Sequence, residues 1–477
     1  MPIDLFMPQL SPTMVEGVIV RWLKKPGDEL VAGDVLAVVE TDKASMEIES
    51  GHDGTLSAIL APEGATVPIG VPIAVIAEEG EEAPDDYLPD GAVSFINCEA
   101  AADGEQEAEE TPELKLKPAG LFNADGEYDV AVIGAGPGGY VAAIRAAQLG
   151  LKVACIEAAQ LGGICLNWGC IPTKALLRTA ELVNVIRHQG DRLGLGVSNF
   201  EPDLDKAVAR SRAISAKLNK GIAFLFKKNK VEHIEGHARF EAGERLMVDS
   251  AEGCRRITAK HVIVATGAKA RAFPGMEIDN EAVITYRQAL APKSLPQEMI
   301  IIGSGAIGME FACFYNAMGS RVTIIEAADQ VLPLEDHEIA RTVARSFKKN
   351  GIRIITGALV SAAGSDSGRA LVQYKAGGKE QRIDGDVCLV AVGVTGNTDH
   401  IGIENTAMKV AGNRIEVDDW YRTDQPGVYA IGDVIGAPAL AHVASHEGVI
   451  CAEAIAGGRP HRLDYDNVPG CTYCQPQ

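Results

Sequence analysis

The sequence predicts an α/β protein: two doubly wound, dinucleotide-type domains in tandem, preceded by a small all-β sandwich. Three observations predict it. Two glycine fingerprints, beginning at Gly134 and Gly303, each follow an apolar strand and open a helix. An N-terminal stretch repeats itself at an offset of 37 residues, as in Gly17 and Gly54. An acidic segment separates that repeat from the β-α alternation that follows. A chain of 477 residues is too long for one hydrophobic core and suits about three or four domains of ordinary size.

In chain order the repeat comes first. EGVIVRWLKKPGDELVAGDVLAVV, from Glu16, matches DGTLSAILAPEGATVPIGVPIAVI, from Asp53; Gly17 pairs with Gly54, Gly27 with Gly64, Gly33 with Gly70 and Val38 with Val75. Each copy reads as short alternating strands divided by Gly or Pro turns. Two copies are too few for a solenoid, so they predict a closed sandwich with a twofold relation. Lys43 lies in Glu40-Thr41-Asp42-Lys43-Ala44-Ser45, where one copy hands over to the next, and symmetry puts it on an exposed turn. A lone surface lysine ordinarily serves solubility. Here ETDKA, the opening MPQLSPTMVEGVI and the paired turns resemble lipoyl and biotinyl domains over residues 1–77. The resemblance implies a covalent lipoyl group on Lys43. Biotin is the rival, but its Met–Lys–Met context is absent from Asp42-Lys43-Ala44.

Residues 78–113 hold fourteen Asp or Glu and no Lys or Arg, two-thirds of the net charge of −21. Such a stretch cannot bury enough apolar surface to fold, so residues 78–126 read as a mobile linker. The strong negative charge disfavours nucleic acid and anionic membrane as partners. The N-terminus shows no secretory signal and no apolar run reaches membrane-span length, so the expected location is cytoplasmic. Ten cysteines spread over a long chain are expected to be mostly free thiols in a reducing compartment, with one pair available for catalysis.

The first nucleotide loop follows. Tyr128-Asp-Val-Ala-Val-Ile runs into Gly134-Ala-Gly136-Pro-Gly-Gly139. Gly134 permits the tight turn, Gly136 lets the backbone approach a pyrophosphate, and Gly139 lets helix and strand pack closely. Glu157 ends the next strand, 23 residues after Gly134, placed for the hydroxyls of an adenosine ribose. The second loop repeats the pattern with Gly303, Gly305 and Gly308, and Glu326 again follows 23 residues on. An acid there repels a 2′-phosphate, and no arginine follows in AADQV, so NAD is favoured over NADP.

Between the loops lies Leu161-Gly-Gly-Ile-Cys165-Leu-Asn-Trp-Gly-Cys170-Ile-Pro-Thr-Lys174. Two cysteines five apart near a helix start can approach within disulfide range, and the helix dipole there lowers a thiol pKa. Two structural thiols or a metal site are the alternatives; zinc needs further ligands, and this is not its usual spacing.

This string resembles the active site of the pyridine-nucleotide disulfide oxidoreductases, above all the dihydrolipoyl dehydrogenases, and the resemblance runs from about residue 127 to 477. It implies that Cys165 exchanges with dihydrolipoamide, that Cys170 faces the flavin, and that Lys174 near the flavin ring is partnered by Glu310. Thr423-Asp-Gln-Pro-Gly-Val-Tyr-Ala-Ile-Gly432-Asp433 resembles the family's second FAD motif, which gives Asp433 to the ribityl chain. Val262-Ile-Val-Ala-Thr266-Gly267 resembles the strand crossing between the nucleotide domains. The first loop therefore holds FAD and the second NAD. Ala238, Thr266, Gly267, Ala439 and His442 join the FAD set, and Val360 and Gly393 the NAD set. The implied domains are a lipoyl domain (1–77), the linker (78–126), an FAD domain in two parts (127–274 and 399–468) and an NAD domain (275–398). Residues 469–477 are read as the start of an interface domain.

In the family that interface domain makes most of the homodimer contact and lends a His-x4-Glu pair to the partner's site. The sequence reads as ending at Gln477 within its first strand, so no acid–base pair is assigned, weak turnover is expected, and apolar surface meant for a partner is expected to be exposed. His442 and Glu447 share the spacing but belong to the flavin-side helix start. Cys471 and Cys474 read as stray thiols pointing to opposite faces of a strand. The family's Arg-x-Pro-Asn is replaced after Gly393 by Val-Thr-Gly-Asn397. The implied partners are protein-bound dihydrolipoamide and the other subunits of a 2-oxo-acid dehydrogenase complex. A glutathione- or mercuric-reductase-like enzyme and a non-catalytic lipoyl carrier are the competing readings.

Overall fold

The structure, a computed structural model, describes residues 3–8, 16–31, 33–40, 45–50, 52–68, 70–77, 127–241 and 245–476. The expectations for Lys43 and for the linker 78–126 fall outside these residues. The chain divides into two units, Met1–Glu113 and Leu114–Gln477.

The first unit is a sandwich of two four-stranded antiparallel sheets. Its hydrogen bonds carry the 37-residue repeat. The Gly27 amide donates to the Leu56 carbonyl and the Gly64 amide to that of Ile19; Leu23 bonds Leu36 as Leu60 bonds Ile73. Even the irregularities repeat, with register shifts after Ile19 and after Leu56. Gly27, Gly33, Gly64 and Gly70 all have φ between 78° and 98°, which explains why the paired glycines recur. Strand alternation fails at Pro72–Ala77, which is buried at every position because its two faces both meet core.

The second unit holds two largely parallel sheets, the first extended by the antiparallel strands Arg245–Ser250 and His237–Phe240, and a three-stranded antiparallel sheet of Ala358–Asp366, Arg369–Ala376 and Lys379–Gly385. In the first, Tyr128–Ile133 is flanked on one side by Val153–Glu157 and then Glu232–Glu235, and on the other by Gly253–Val264, which pairs with Val428–Ala430. Helices α1 (Pro137–Gln148), α2 (Gly163–Trp168), α3 (Cys170–Gln189) and α4 (Leu204–Asn229) belong to this half. The second sheet has strand order Val283–Ile284, Val387–Val390, Glu298–Ile302, Arg321–Ile325, Arg353–Ile355, all parallel. Its helices are α5 (Tyr286–Leu290), α6 (Ala306–Met318) and α7 (His337–Lys349). The chain then returns to the first sheet, and α8 (Ala441–Ile455) packs on α1. Past Asp129 and Glu298 both central strands are apolar and buried, because one face of each sheet meets helices and the other meets antiparallel strands, around Ala238 and Leu246 in the first and around Ala358 and Val372 in the second.

The two halves are joined by Ala268–Ala270, antiparallel to Val394–Gly396. Thr266 Oγ1 donates to the Asn397 carbonyl at 2.8 Å, and Asn397 Nδ2 returns a bond to the Thr266 carbonyl at 2.9 Å. Asn397 thus fixes both crossings. Residues 468–473 lie outside any ladder, which differs from the strand expected there: among the described residues they have no neighbouring strand to pair with.

Candidate functional site: two glycine turns, a disulfide and an ion pair

Both nucleotide loops are built the same way. Gly134 and Gly303 have φ of 101° and 97°, and a Cβ on either would lie 2.4 or 2.3 Å from the carbonyl oxygen of Ala265 or Ala391. A Cβ on Gly139 would lie 1.9 Å from the Gly134 oxygen, and one on Gly308 2.1 Å from the Gly303 oxygen. These four positions admit only glycine. Gly305 is different: a Cβ there would meet nothing within 4 Å, so its bareness leaves space at the mouth of the loop. Helices α1 and α6 start at Gly136 and Gly305 without a side-chain cap. Their first-turn amides are unsatisfied by side chains and suit a pyrophosphate.

The two acids occupy twin positions. Glu157 Oε2 accepts from the Ala135 amide at 2.7 Å and Oε1 from that of Ala159 at 2.9 Å. Glu326 Oε2 accepts from the Ser304 amide and hydroxyl, both at 2.7 Å, and Oε1 from the Ala328 amide at 2.8 Å. The Glu157 carbonyl accepts from Gly236 and the Glu326 carbonyl from Ala358. Ala238 and Val360 each lie two residues farther along those strands, Ala238 buried in the core and Val360 half-buried. Gly393 has φ of 103° and its carbonyl accepts from Arg271, just beyond the joining strands.

Cys165 and Cys170 form a disulfide with Cα atoms 4.7 Å apart. Cys165 lies in the short helix α2, and Cys170 is the first residue of the 20-residue α3. Gly169 makes the reversal between them. The Cys170 sulfur thus sits at a helix N-terminus, where the dipole favours a thiolate. Asn167, buried, donates from Nδ2 to the carbonyls of Leu161 and Gly163, both at 2.9 Å, and clamps the loop between the cysteines. Arg212 donates to the Asn167 carbonyl at 2.6 Å and lies over the Trp168 ring at 4.4 Å. At the other end Gly163, with φ of 56°, closes on Gly136 so tightly that a Cβ would come within 2.6 Å of its Cα. The disulfide loop is therefore pressed against the first nucleotide turn. Sequence reasoning passed over Asn167, Arg212 and Gly163; the Gly162-Gly163 pair and the polar Asn amid apolar neighbours were the available signals.

One turn into α3, Lys174 Nζ bonds both oxygens of Glu310 at 2.9 and 3.0 Å. Glu310 lies on α6, the helix of the second loop, and is 5% exposed against 36% for Lys174. The ion pair joins the two nucleotide halves beside the disulfide. The Tyr473 amide also donates to Glu310 Oε1 at 3.0 Å, and the Tyr473 ring lies 4.7 Å under Lys174 Nζ. Asp433 lies within the turn Gly432–Val434 that follows strand Val428–Ala430; burial pushes its carboxyl above the ordinary range. Ala439 and His442 are exposed at the start of α8. The oxygens of Glu447 are taken by the Gly432 amide and the Tyr465 hydroxyl, so the His442–Glu447 spacing forms no acid–base couple. Cys471 and Cys474 are free thiols, the first exposed and the second buried.

Residues 128–448 match the pyridine nucleotide-disulphide oxidoreductase family. The chain belongs to that family. Residues 3–76 match the family of biotin- and lipoyl-carrying domains described as biotin-requiring enzyme. Dihydrolipoyl dehydrogenases of Zymomonas mobilis and Rhizobium etli are 48% and 46% identical, each over 73% of this chain and 76% of their own. The mitochondrial dihydrolipoyl dehydrogenase of Pisum sativum is 40% identical over 76% of this chain and 74% of its own. Among solved structures, LpdA of Mycobacterium tuberculosis superimposes with a TM-score of 0.68 at 28% identity, covering 73% of this chain and 76% of that one. The HOCl-induced flavoprotein disulfide reductase RclA of Escherichia coli gives 0.65 at 28% identity with the same coverage. The family works with FAD and NAD(H), and its lipoyl-type domain carries the group on a lysine. The uncapped helix ends, the glycine-only turns and the paired acids fit two dinucleotides.

Proposed function

We propose that the chain is a dihydrolipoyl dehydrogenase. The observation that carries this reading is the Cys165–Cys170 disulfide, seated against the first nucleotide turn and at the N-terminus of α3. A dihydrolipoyl thiolate attacks the Cys165 sulfur and breaks its bond to Cys170, which leaves as a thiolate stabilised by the helix dipole. The second substrate thiol then attacks the mixed disulfide, closes the lipoyl ring and frees Cys165. The substrate has lost two electrons and the protein has gained a dithiol. Bound FAD and NAD(H) supply the two-electron and hydride chemistry that restores the disulfide. Lys174 and Glu310 hold the wall of the flavin pocket, with a fixed cation facing it. Glu157 and Glu326 hold their loops and offer acceptors to a ribose.

In this reading Gly134, Gly136, Gly139, Glu157, Ala238, Thr266, Gly267, Asp433, Ala439 and His442 serve FAD. Gly303, Gly305, Gly308, Glu326, Val360 and Gly393 serve NAD. Residues 1–77 carry lipoyl on Lys43, 78–126 tether it, 127–274 with 399–468 form the flavin domain, 275–398 the NAD domain, and 469–477 begin an interface domain. The names of the relatives support a place in a 2-oxo-acid dehydrogenase complex. A homodimer is supported by Leu218, Phe224 and Leu225, exposed on α4. Among the described residues no helix is long and apolar enough to cross a membrane, which is compatible with a cytoplasmic place. The test is NAD⁺ reduction by dihydrolipoamide: Cys165→Ser and Cys170→Ser are each expected to lose at least about 10³-fold in rate. Turnover retained by either variant overturns the reading.

A further inference from the structure

We infer that Glu447 is a positioning residue for the flavin: its buried carboxylate holds the Gly432–Asp433 turn in the shape that presents Asp433. The inference rests on the reading that Asp433 faces FAD. Glu447 lies on α8 and is 2% exposed, yet it meets no basic side chain in its two hydrogen bonds. A buried carboxylate without a cation is costly, so its presence here calls for a specific use. One oxygen, Oε2, accepts from the Gly432 amide at 2.6 Å. The other, Oε1, accepts from the Tyr465 hydroxyl at 2.7 Å, and Tyr465 also meets the Tyr421 hydroxyl at 3.4 Å.

The amide that Glu447 holds is the one that needs holding. Gly432 has φ of 73° and opens a single tight turn, Gly432–Val434, directly after a sheet strand. The preceding Ile431 amide is still tied to the sheet, through the Val264 carbonyl at 3.0 Å. At Gly432 the chain leaves the sheet, and its amide would be orphaned without Glu447. The same helical turn grips the first nucleotide helix. A Cβ on Gly448 would lie 2.6 Å from the Gly138 oxygen, and one on Gly138 3.0 Å from the Ala444 oxygen. Thus α8 fixes the pyrophosphate helix through Gly448 and the Asp433 turn through Glu447. Tyr465 extends the device to the segment after α8, whose order becomes coupled to the flavin site.

The test measures FAD dissociation from the whole chain by flavin fluorescence, for the native protein, Glu447→Gln, Glu447→Ala and Asp433→Ala. Glutamine keeps a carbonyl for Gly432 and can donate its amide to the Tyr465 oxygen. It should bind FAD within about threefold of native, whereas alanine should bind about tenfold or more weakly, the range for losing a hydrogen bond to a charged group. Alanine within twofold of native, or glutamine as weak as alanine, overturns the inference if Asp433→Ala binds weakly. If Asp433→Ala binds like native, the underlying reading of Asp433 fails instead. Should the alanine chain not fold, the flavin-free native protein carries the test through hydrogen exchange. Its Gly432 amide should exchange as slowly as the sheet amide of Ile431, and exchange at the rate of an open loop overturns the inference.

Discussion

Single side chains decide how the sulfur chemistry is isolated. Cys155, Cys313, Cys388, Cys451 and Cys474 are buried and burial raises each thiol, Cys388 and Cys474 to about 12. Cys254 is exposed, but its sulfur lies 2.9 Å from Asp249 Oδ1, and that hydrogen bond raises the thiol. Among the described residues, alkylation mapped by mass spectrometry should therefore spare the five buried thiols, label Cys471 first and Cys254 slowly, and reach Cys165 and Cys170 only after reduction. The Lys174–Glu310 pair behaves differently. Removing the acid by Glu310→Ala leaves a half-buried cation, so the expected loss is about 1–3 kcal/mol in urea unfolding, below the range for fully buried pairs. Glu310→Gln should shift the flavin potential, and an unchanged potential would argue that the pair is only structural. Asp433 carries a pH signature. Its folded carboxyl lies above the unfolded one, so its stabilising share is present in acid and lost as pH rises through the folded value. Asp433→Asn should stabilise the flavin-free protein at about pH 8 and make no difference near about pH 3, read by urea titration at both.

At the scale of elements, the strand–glycine–helix units were legible because the constraint is local. Gly139 and Gly308 are required by a carbonyl of their own turns, and Gly134 and Gly303 by their positive φ, and that requirement shows directly as a motif. The 37-residue repeat was legible for the same reason, since its glycines sit at matching positive-φ turns. What the residues did not reveal comes from elements far apart in sequence. Asn397 locks Thr266 across 131 positions, and Arg212 props Asn167 across 45. Neither spacing has a period, so no pattern announces it. Glu447 was visible only as a misleading His-x4-Glu spacing. The strand expected around Cys471–Cys474 has no ladder, because strand formation needs a neighbour that those residues cannot supply alone. The element-level prediction is a separation of cofactors. Gly308→Ala forces a Cβ into the Gly303 carbonyl and should abolish NAD binding by calorimetry while FAD stays bound; Gly139→Ala should do the reverse.

For the whole molecule, charge sets the expected behaviour. A net charge of −21, two-thirds of it within residues 78–113, keeps like-charged surfaces apart. Intact-mass analysis of protein from cells supplied with lipoate should show one lipoyl adduct, lost in Lys43→Arg. The central claim is that two electrons move between the sulfur couple and nicotinamide within this chain. It is tested most directly by adding NADH to the FAD-loaded protein without oxygen, quenching with an alkylating agent, and locating the label. Label on both Cys165 and Cys170, absent when NADH is omitted, is the predicted result. Bleached flavin with the 165–170 disulfide still intact would contradict it.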